Sequence, residues 1–128
     1  MMKWIAGFLL VTILTINPSL AGEVSVQNFE VKSTRDLINL CTASPEDPLY
    51  SKAIHFCHGY LVGAFHYYES STAGPNAHPI VCPPKERPSR DETIQKFVEW
   101  TTARPEYWGE LPVETDFRFL TEMWPCKN

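Results

Sequence analysis

The sequence predicts a small all-α domain of four helices linked by two disulfides. Apolar residues recur every three to four positions along several segments, which is the spacing of one helix face. Prolines and capping residues mark where these segments begin and end. The four cysteines form an even set for disulfide pairing. No segment carries a strand pattern that competes with these helices, so we expect them to make one domain.

Residues 1–21 have the pattern of a secretory signal peptide. Lys3 supplies the positive start, residues 5–16 form an apolar stretch, and residues 19–21 end in the small side chains of a cleavage site. The apolar stretch is shorter than the roughly 20 residues that a bilayer span requires, so no membrane anchor is expected after cleavage. The mature chain is predicted to start at Gly22, and the periplasm is its expected location.

The predicted mature chain is acidic, with 10 basic and 15 acidic residues and a formal charge of −5. This excess disfavours nucleic acid and an anionic membrane as partners. A basic protein or a neutral ligand fits better. A modest negative charge also keeps a small domain soluble, so charge alone does not choose between these partners.

The first elements follow a short arm. Residues 22–32 alternate apolar and polar side chains and are interpreted as an N-terminal linker. Ser33 or Thr34 can cap the first helix, which is predicted to end near Thr42. The proline-rich segment at residues 44–48 then forms a turn, because proline disfavours helix in the residue before it.

The second helix has the strongest pattern in the chain and is predicted over about residues 51–70. Gly59 and Gly63 lie four residues apart on it, and each costs about 1 kcal/mol relative to alanine. We therefore expect another backbone to approach this helix closely. Residues 71–84 are predicted to form a loop. The predicted inner face carries Ile54, Cys57, Leu61, Ala64, Phe65 and Tyr68.

The third and fourth helices are predicted from their termini. Ser89 and Glu92 have the spacing of a capping box, and Pro105 ends the third helix. Pro112 can occupy the first turn of the fourth helix, which stops before Pro125. The third helix is predicted to bury Ile94, Phe97, Val98 and Thr101. The fourth is predicted to bury Val113, Phe117, Leu120 and Met123 or Trp124.

Four cysteines allow three pairings, and sequence alone does not decide among them. Helix geometry ranks them: Cys41 ends the first helix and Cys57 lies on the apolar face of the second, so a helical hairpin would bring them together. Cys82 and Cys126 would then join the long loop to the C-terminal segment. The spacings of 16, 25 and 44 residues match no common zinc motif. We therefore expect structural disulfides rather than a redox pair, a metal site or a nucleophile.

Three histidines and a glutamate fall on one polar face of the second helix: His55, His58, His66 and Glu69. Pairs three residues apart can supply two ligands to a metal, but two ligands rarely make a site, so a solvated face is favoured. Protonation of this face below pH 6 is a weaker alternative and underlies a second function, a small acid-responsive periplasmic chaperone. No serine or free cysteine is placed to use these bases, so neither an enzyme nor a cofactor is predicted.

The loops at residues 70–79 and 104–109, together with Tyr67 on the second helix, carry residues that suit protein recognition. The candidate partner-binding residues are Tyr67, His78, Tyr107 and Trp108. Aromatic side chains make good anchors because they bury much area with few rotatable bonds. In so small a domain the same side chains can instead fold back over the core, and the sequence leaves both alternatives open.

The order of short motifs along the mature chain resembles the Rap/Tai family of type VI secretion immunity proteins. The matching pieces are Asp36-Leu37-x-x-Leu40-Cys41, Cys57-x-Gly59-Tyr60-x-x-Gly63, Val81-Cys82-x-Pro84 and Trp124-Pro125-Cys126. They cover nearly the whole mature chain, and the resemblance implies a helical immunity domain over residues 33–128.

The resemblance implies a function as well as a fold. Members of this family are exported helical proteins that bind and block peptidoglycan-cleaving amidase toxins delivered by neighbouring cells, and some act as dimers. The implied partner is therefore an amidase toxin, a homodimer is one expected assembly, and no catalysis is expected of the chain itself. An unassigned periplasmic binding protein is a further alternative.

Overall fold

The computed structural model describes residues 23–127, so the predicted signal peptide and cleavage site lie outside the described residues. The predicted all-α class and the four helices are confirmed. Within the described range, the extended pairing is a single antiparallel bridge between Val81 and Pro125. The elements in chain order are a 3-10 helix (Val26–Glu30), α1 (Thr34–Cys41), α2 (Tyr50–Ser71), α3 (Arg90–Thr102), a second 3-10 helix (Pro105–Tyr107) and α4 (Pro112–Met123).

The segment before α1 is folded onto the domain, which corrects the linker expected over residues 22–32. Val24 is buried, and its backbone nitrogen donates to Oδ2 of Asp47 at 2.9 Å. Nδ2 of Asn28, also buried, donates to Oδ1 of Asp36 at 3.1 Å. These partners lie in α1 and in the turn that follows it, so the alternating pattern of the segment alone did not reveal them.

Helix starts follow local signals closely. The Ser89 hydroxyl accepts from the backbone nitrogen of Glu92 at 3.2 Å, and the Glu92 carboxylate accepts from the backbone nitrogen of Ser89 at 2.7 Å. This confirms the predicted capping box of α3. Ser33 and Asp36 form the same arrangement at the start of α1, and Pro112 is the first residue of α4 as predicted.

The core is built around α1, whose Leu37 and Leu40 are fully buried. α1 contacts the other three helices, and α3 also packs against α4. Phe97 of α3 and Phe119 of α4 meet edge to face, with ring centroids 5.7 Å apart. The remaining buried apolar side chains of the helices are Ile38, Ala53, Cys57, Leu61, Ile94 and Leu120.

α4 buries only part of the predicted face, of which Leu120 is buried as predicted. Val113 is 37% exposed, whereas Thr115, Asp116 and Phe119 are buried. Oγ1 of Thr115 lies 2.7 Å from Oγ1 of Thr34, so a hydrogen bond to α1 satisfies this polar side chain inside the core. A prediction from hydrophobicity alone assigns polar residues such as Thr115 and Asp116 to the exposed face of the helix.

The two glycines of α2 face open space. A Cβ atom added at Gly59 or Gly63 would meet no atom within 4 Å, so the predicted close approach of another backbone is wrong. The buried side chains of α2 are instead Ala53, Cys57 and Leu61, on the opposite face.

None of the helices in the described range is long and apolar enough to cross a membrane.

Both predicted disulfides are confirmed. Cys41 pairs with Cys57 and ties α1 to α2, while Cys82 pairs with Cys126 and ties the loop after α2 to the end of α4. The Cα atoms lie 5.2 Å and 4.9 Å apart, within the normal range for a disulfide. The fold is therefore crosslinked covalently at two separate places.

Candidate functional site

The four residues predicted to bind a partner fall into two regions of the fold. Tyr67 lies near the C-terminal end of α2 and is 78% exposed, and His78 is exposed in the loop that follows. Tyr107 and Trp108 lie in the turn between α3 and α4 and are half-buried. The first pair is thus available for contact over much more of its surface.

Tyr68 fixes the loop after α2. Its phenol oxygen accepts hydrogen bonds from the backbone nitrogens of Ile80 and Val81, each at 2.8 Å. The Tyr68 ring packs against Phe117 of α4, with centroids 5.0 Å apart. Ile80 is 57% exposed even though its backbone is tied down. The loop therefore presents an apolar side chain from a fixed position.

The end of this loop is held at a second place. The backbone nitrogen of Cys82 donates to the carbonyl of Trp124 at 2.8 Å, next to the disulfide between Cys82 and Cys126. We name Tyr67, His78 and Ile80 together the α2-end surface. Ile80 was missed by sequence reasoning, because the apolar run Ile80-Val81-Cys82 between two prolines is too short to give a helical or strand signal.

The turn between α3 and α4 is folded back over the core. Nε1 of Trp108 donates to the carbonyl of Thr101 at 2.9 Å, and the Arg35 guanidinium lies 5.2 Å from the Trp108 ring centroid. Tyr107 stacks on Trp100 with centroids 5.6 Å apart and an interplanar angle of 6°. Both side chains thus stabilise the domain, and their remaining exposed edges form a smaller second region.

The polar face of α2 does not converge on one point. Nδ1 of His55 lies 2.6 Å from the carbonyl of Ser51, within the same helix. Nδ1 of His58 lies 3.8 Å from Oδ1 of Asp91 on α3. The Glu69 carboxylate accepts a hydrogen bond from Arg87, in the loop before α3. Among residues 23–127, no group of three or more histidine, cysteine, aspartate or glutamate side chains is arranged to hold a metal ion.

A cavity of about 210 Å³ opens beside α2 and contains a feature that the sequence did not indicate. Asp116 of α4 lines this cavity and is only 3% exposed. Burial raises the pKa of this carboxyl to about 7. Helical periodicity could have placed Asp116 beside the inner residue Leu120, but a charged residue is normally assigned to the outer face.

The framework that positions these features is shared with a known family. The family model of the Rap1a immunity proteins matches residues 33–126, from the cap of α1 to the last cysteine. The chain belongs to the Rap1a immunity protein family. As a Rap1a immunity protein it has a toxin protein as its partner, and the family suggests binding rather than catalysis. No curated protein and no solved structure matches the chain significantly.

Proposed function

We propose that this Rap1a immunity protein acts in the periplasm, where it binds and inhibits a peptidoglycan amidase toxin delivered by type VI secretion. The observation that carries the proposal is the family match over residues 33–126. The resemblance of the cysteine motifs to the Rap/Tai family supports an amidase as the toxin. Two disulfides and the predicted signal peptide at residues 1–21 support an oxidising compartment outside the cytoplasm.

The α2-end surface is the proposed main contact with the toxin. Tyr67 offers a largely exposed aromatic ring, and Ile80 adds an apolar side chain. Tyr68 and the disulfide at Cys82 hold the loop before binding, so little conformational entropy is lost when the complex forms. His78 supplies a polar group that can donate or accept a hydrogen bond. An aromatic anchor on a preorganised surface is typical of binding hot spots.

Tyr107 and Trp108 form a second proposed contact region. Their internal contacts leave only part of each ring exposed, so they offer less area than the α2-end surface. We expect this region to contribute shape complementarity to the interface more than binding energy.

Inhibition on this proposal needs no chemistry from the immunity protein. A folded domain that covers the cleft of an amidase excludes the peptidoglycan strand, because the cleft must stay open to admit a polymer. The acidic charge of the mature chain would speed association with a toxin of basic surface, and this rate enhancement would weaken with salt.

The proposal is tested with the amidase toxin encoded beside the immunity gene. Cells that export the toxin to the periplasm should lyse, and co-export of the immunity protein should prevent lysis. Purified immunity protein should also block peptidoglycan cleavage at a one-to-one ratio of binding sites. Light scattering on the complex decides whether a monomer or a homodimer binds. Undiminished cleavage with an excess of folded immunity protein would contradict the proposal.

The contact surface is tested with a matched pair of tyrosines on α2. Tyr67→Ala should weaken toxin binding at least tenfold, because a hot-spot aromatic contributes about 2 kcal/mol or more. Tyr50→Ala is the control, since Tyr50 is also exposed but lies about 25 Å away along the helix axis. Both variants should keep the melting temperature of the wild type. Equal affinities for the two variants would remove Tyr67 from the interface.

A further inference from the structure

The cavity beside α2 arises from how the helices pack. α2 packs mainly on α1, whereas α3 packs on α1 and α4, so the space between α2 and α3 is incompletely filled. The cavity of about 210 Å³ is open to solvent on one side. Its walls are mostly apolar and include Leu61, Phe65, Phe97, Phe119 and Leu120. This volume suits one small molecule or one long side chain.

A single buried carboxyl group interrupts the apolar wall. Oδ2 of Asp116 has no hydrogen-bond partner within the described part of the chain, although the residue is 3% exposed. An unpaired buried carboxyl destabilises a fold unless a donor reaches it. Asp116 faces a solvent-accessible cavity, so such a donor can come from outside the protein.

One of the two arginines that line the cavity is already engaged. The Arg87 guanidinium donates to Glu69 at 2.9 Å and lies 5.6 Å from the Phe65 ring centroid. Arg90 is the first residue of α3 and forms no ion pair with the described side chains, so it is the free cation at the rim. The charge of Asp116 has no such partner among the described side chains. The cavity therefore offers an unpaired acceptor below a rim that carries one engaged arginine and one unpaired arginine.

We propose that this cavity binds a cationic group carried on an apolar stem, with the cation donating to Asp116 and the stem lying among Phe65, Phe97 and Leu120. The ligand is a primary amine or a guanidine, and the part of it inside the cavity has roughly ten non-hydrogen atoms or fewer. It comes either from a free small amine or from a lysine or arginine side chain of a bound protein. This site is separate from the α2-end surface and does not depend on the proposed toxin.

Binding of such a cation should strengthen as pH rises. Burial raises the pKa of Asp116 to about 7, so the carboxyl is mostly neutral at pH 5.5 and mostly ionised at pH 8.5. An amine stays protonated over this range, and its affinity should therefore rise about thirtyfold. The other titratable or charged groups near Asp116 are Tyr60 and His66 on α2, Arg87 in the loop and Arg90 on α3.

The wild-type protein tests the ligand class directly. Benzylamine and Nα-acetyl-lysine methylamide are titrated at pH 8.5, and binding is followed by the NMR signals of the Leu61 and Leu120 methyl groups. Toluene and benzoate serve as the neutral and anionic controls. Saturable shifts with benzylamine alone indicate a free amine, and shifts with the lysine derivative indicate a protein side chain. No saturable shift with either amine, or tighter binding of benzoate, would overturn the proposal.

Two matched substitutions assign the binding to the buried carboxyl. Asp116→Asn keeps the shape of the side chain but removes its charge, and it should weaken amine binding at least tenfold and abolish the pH dependence. Asp91→Asn makes the same change at an exposed position of α3 and should leave the affinity unchanged. The melting temperature of each variant confirms its folding before titration. Unchanged amine affinity in folded Asp116→Asn would refute the assignment.

Discussion

The phenol oxygen of Tyr68 accepts a hydrogen bond from the backbone nitrogen of Val81 at 2.8 Å, across 13 residues of chain. The same oxygen accepts from Ile80, so one side chain of α2 holds two consecutive peptide groups of the loop. Val81 itself is buried. The position of the exposed Ile80 side chain therefore depends on a tyrosine that is itself half-buried.

Tyr68→Phe should loosen this loop without unfolding the domain. The substitution leaves two backbone N–H groups without their acceptor, and we expect a loss of about 1 to 2 kcal/mol in the free energy of unfolding. Hydrogen exchange at Ile80 and Val81 should become faster. Tyr67→Phe is the control, because the hydroxyl of this exposed neighbour makes no comparable contact. Equal exchange rates in the two variants would show that Tyr68 does not hold the loop.

The two disulfides should differ in their contribution to stability. In the chain-entropy model, a crosslink stabilises by about 3 kcal/mol for the 16-residue separation of Cys41 and Cys57, and by about 4 kcal/mol for the 44-residue separation of Cys82 and Cys126. Double alanine variants of each pair should lose these amounts in urea unfolding. The oxidised wild type is the reference, and the wild type with both bonds reduced shows the combined loss. A stable, unshifted midpoint in either variant would contradict the model.

Ionisation of Asp116 should destabilise the fold as pH rises. The folded-state pKa is about 7 and the ordinary value is 3.8, so the unfolded chain releases the proton first. The effect is absent below about pH 4, develops between pH 4 and 7, and stays constant above pH 7. It amounts to about 4 kcal/mol at most.

Asp116→Asn should remove this dependence. The variant should unfold at a higher urea concentration than the wild type at pH 8, with a smaller difference at pH 4.5. Asp91→Asn, at an exposed position, should retain the wild-type pH profile. Parallel profiles for Asp116→Asn and the wild type would show that the carboxyl does not titrate between pH 4 and 8.

Trp108 should matter more for stability than for toxin binding. Trp108→Ala removes the hydrogen bond to Thr101 and the contact with Arg35, and we expect a loss of about 2 kcal/mol because the ring is half-buried. The dissociation constant for the toxin should change less than with Tyr67→Ala. Val26→Ala, at an exposed apolar side chain, should leave both quantities unchanged. A large loss of affinity without a loss of stability would make Trp108 a primary contact.

The sequence predicted features that depend on short-range chemistry. The capping box of Ser89 and Glu92 involves residues three apart, and Pro112 in the first turn of α4 is a local preference. The disulfide pairing was ranked correctly, because a hairpin of α1 and α2 brings Cys41 next to Cys57. In these cases the partners are fixed by spacing or by a single turn.

Long-range partners account for what the sequence did not predict. Asn28 is buried because it reaches Asp36, and Thr115 is buried because it reaches Thr34 across 81 residues. Neither contact leaves a periodic pattern. Gly59 shows the opposite error, since a helical glycine suggested a neighbour that the packing does not supply. For the candidate site, the exposure of Tyr67 and His78 is consistent with the predicted region, whereas Ile80 needed the structure.

The positions of the cysteines also impose an order on the formation of the two crosslinks. Cys41 and Cys57 can meet once the first 57 residues of the chain have emerged, because α1 and the start of α2 are then complete. Cys82 must wait for residue 126, after α3 and α4 have been added. In the proposed export to the periplasm, oxidation while the chain emerges would therefore favour the native pairs over a bond between Cys57 and Cys82. Any truncation that removes Cys126 leaves Cys82 as a reactive thiol.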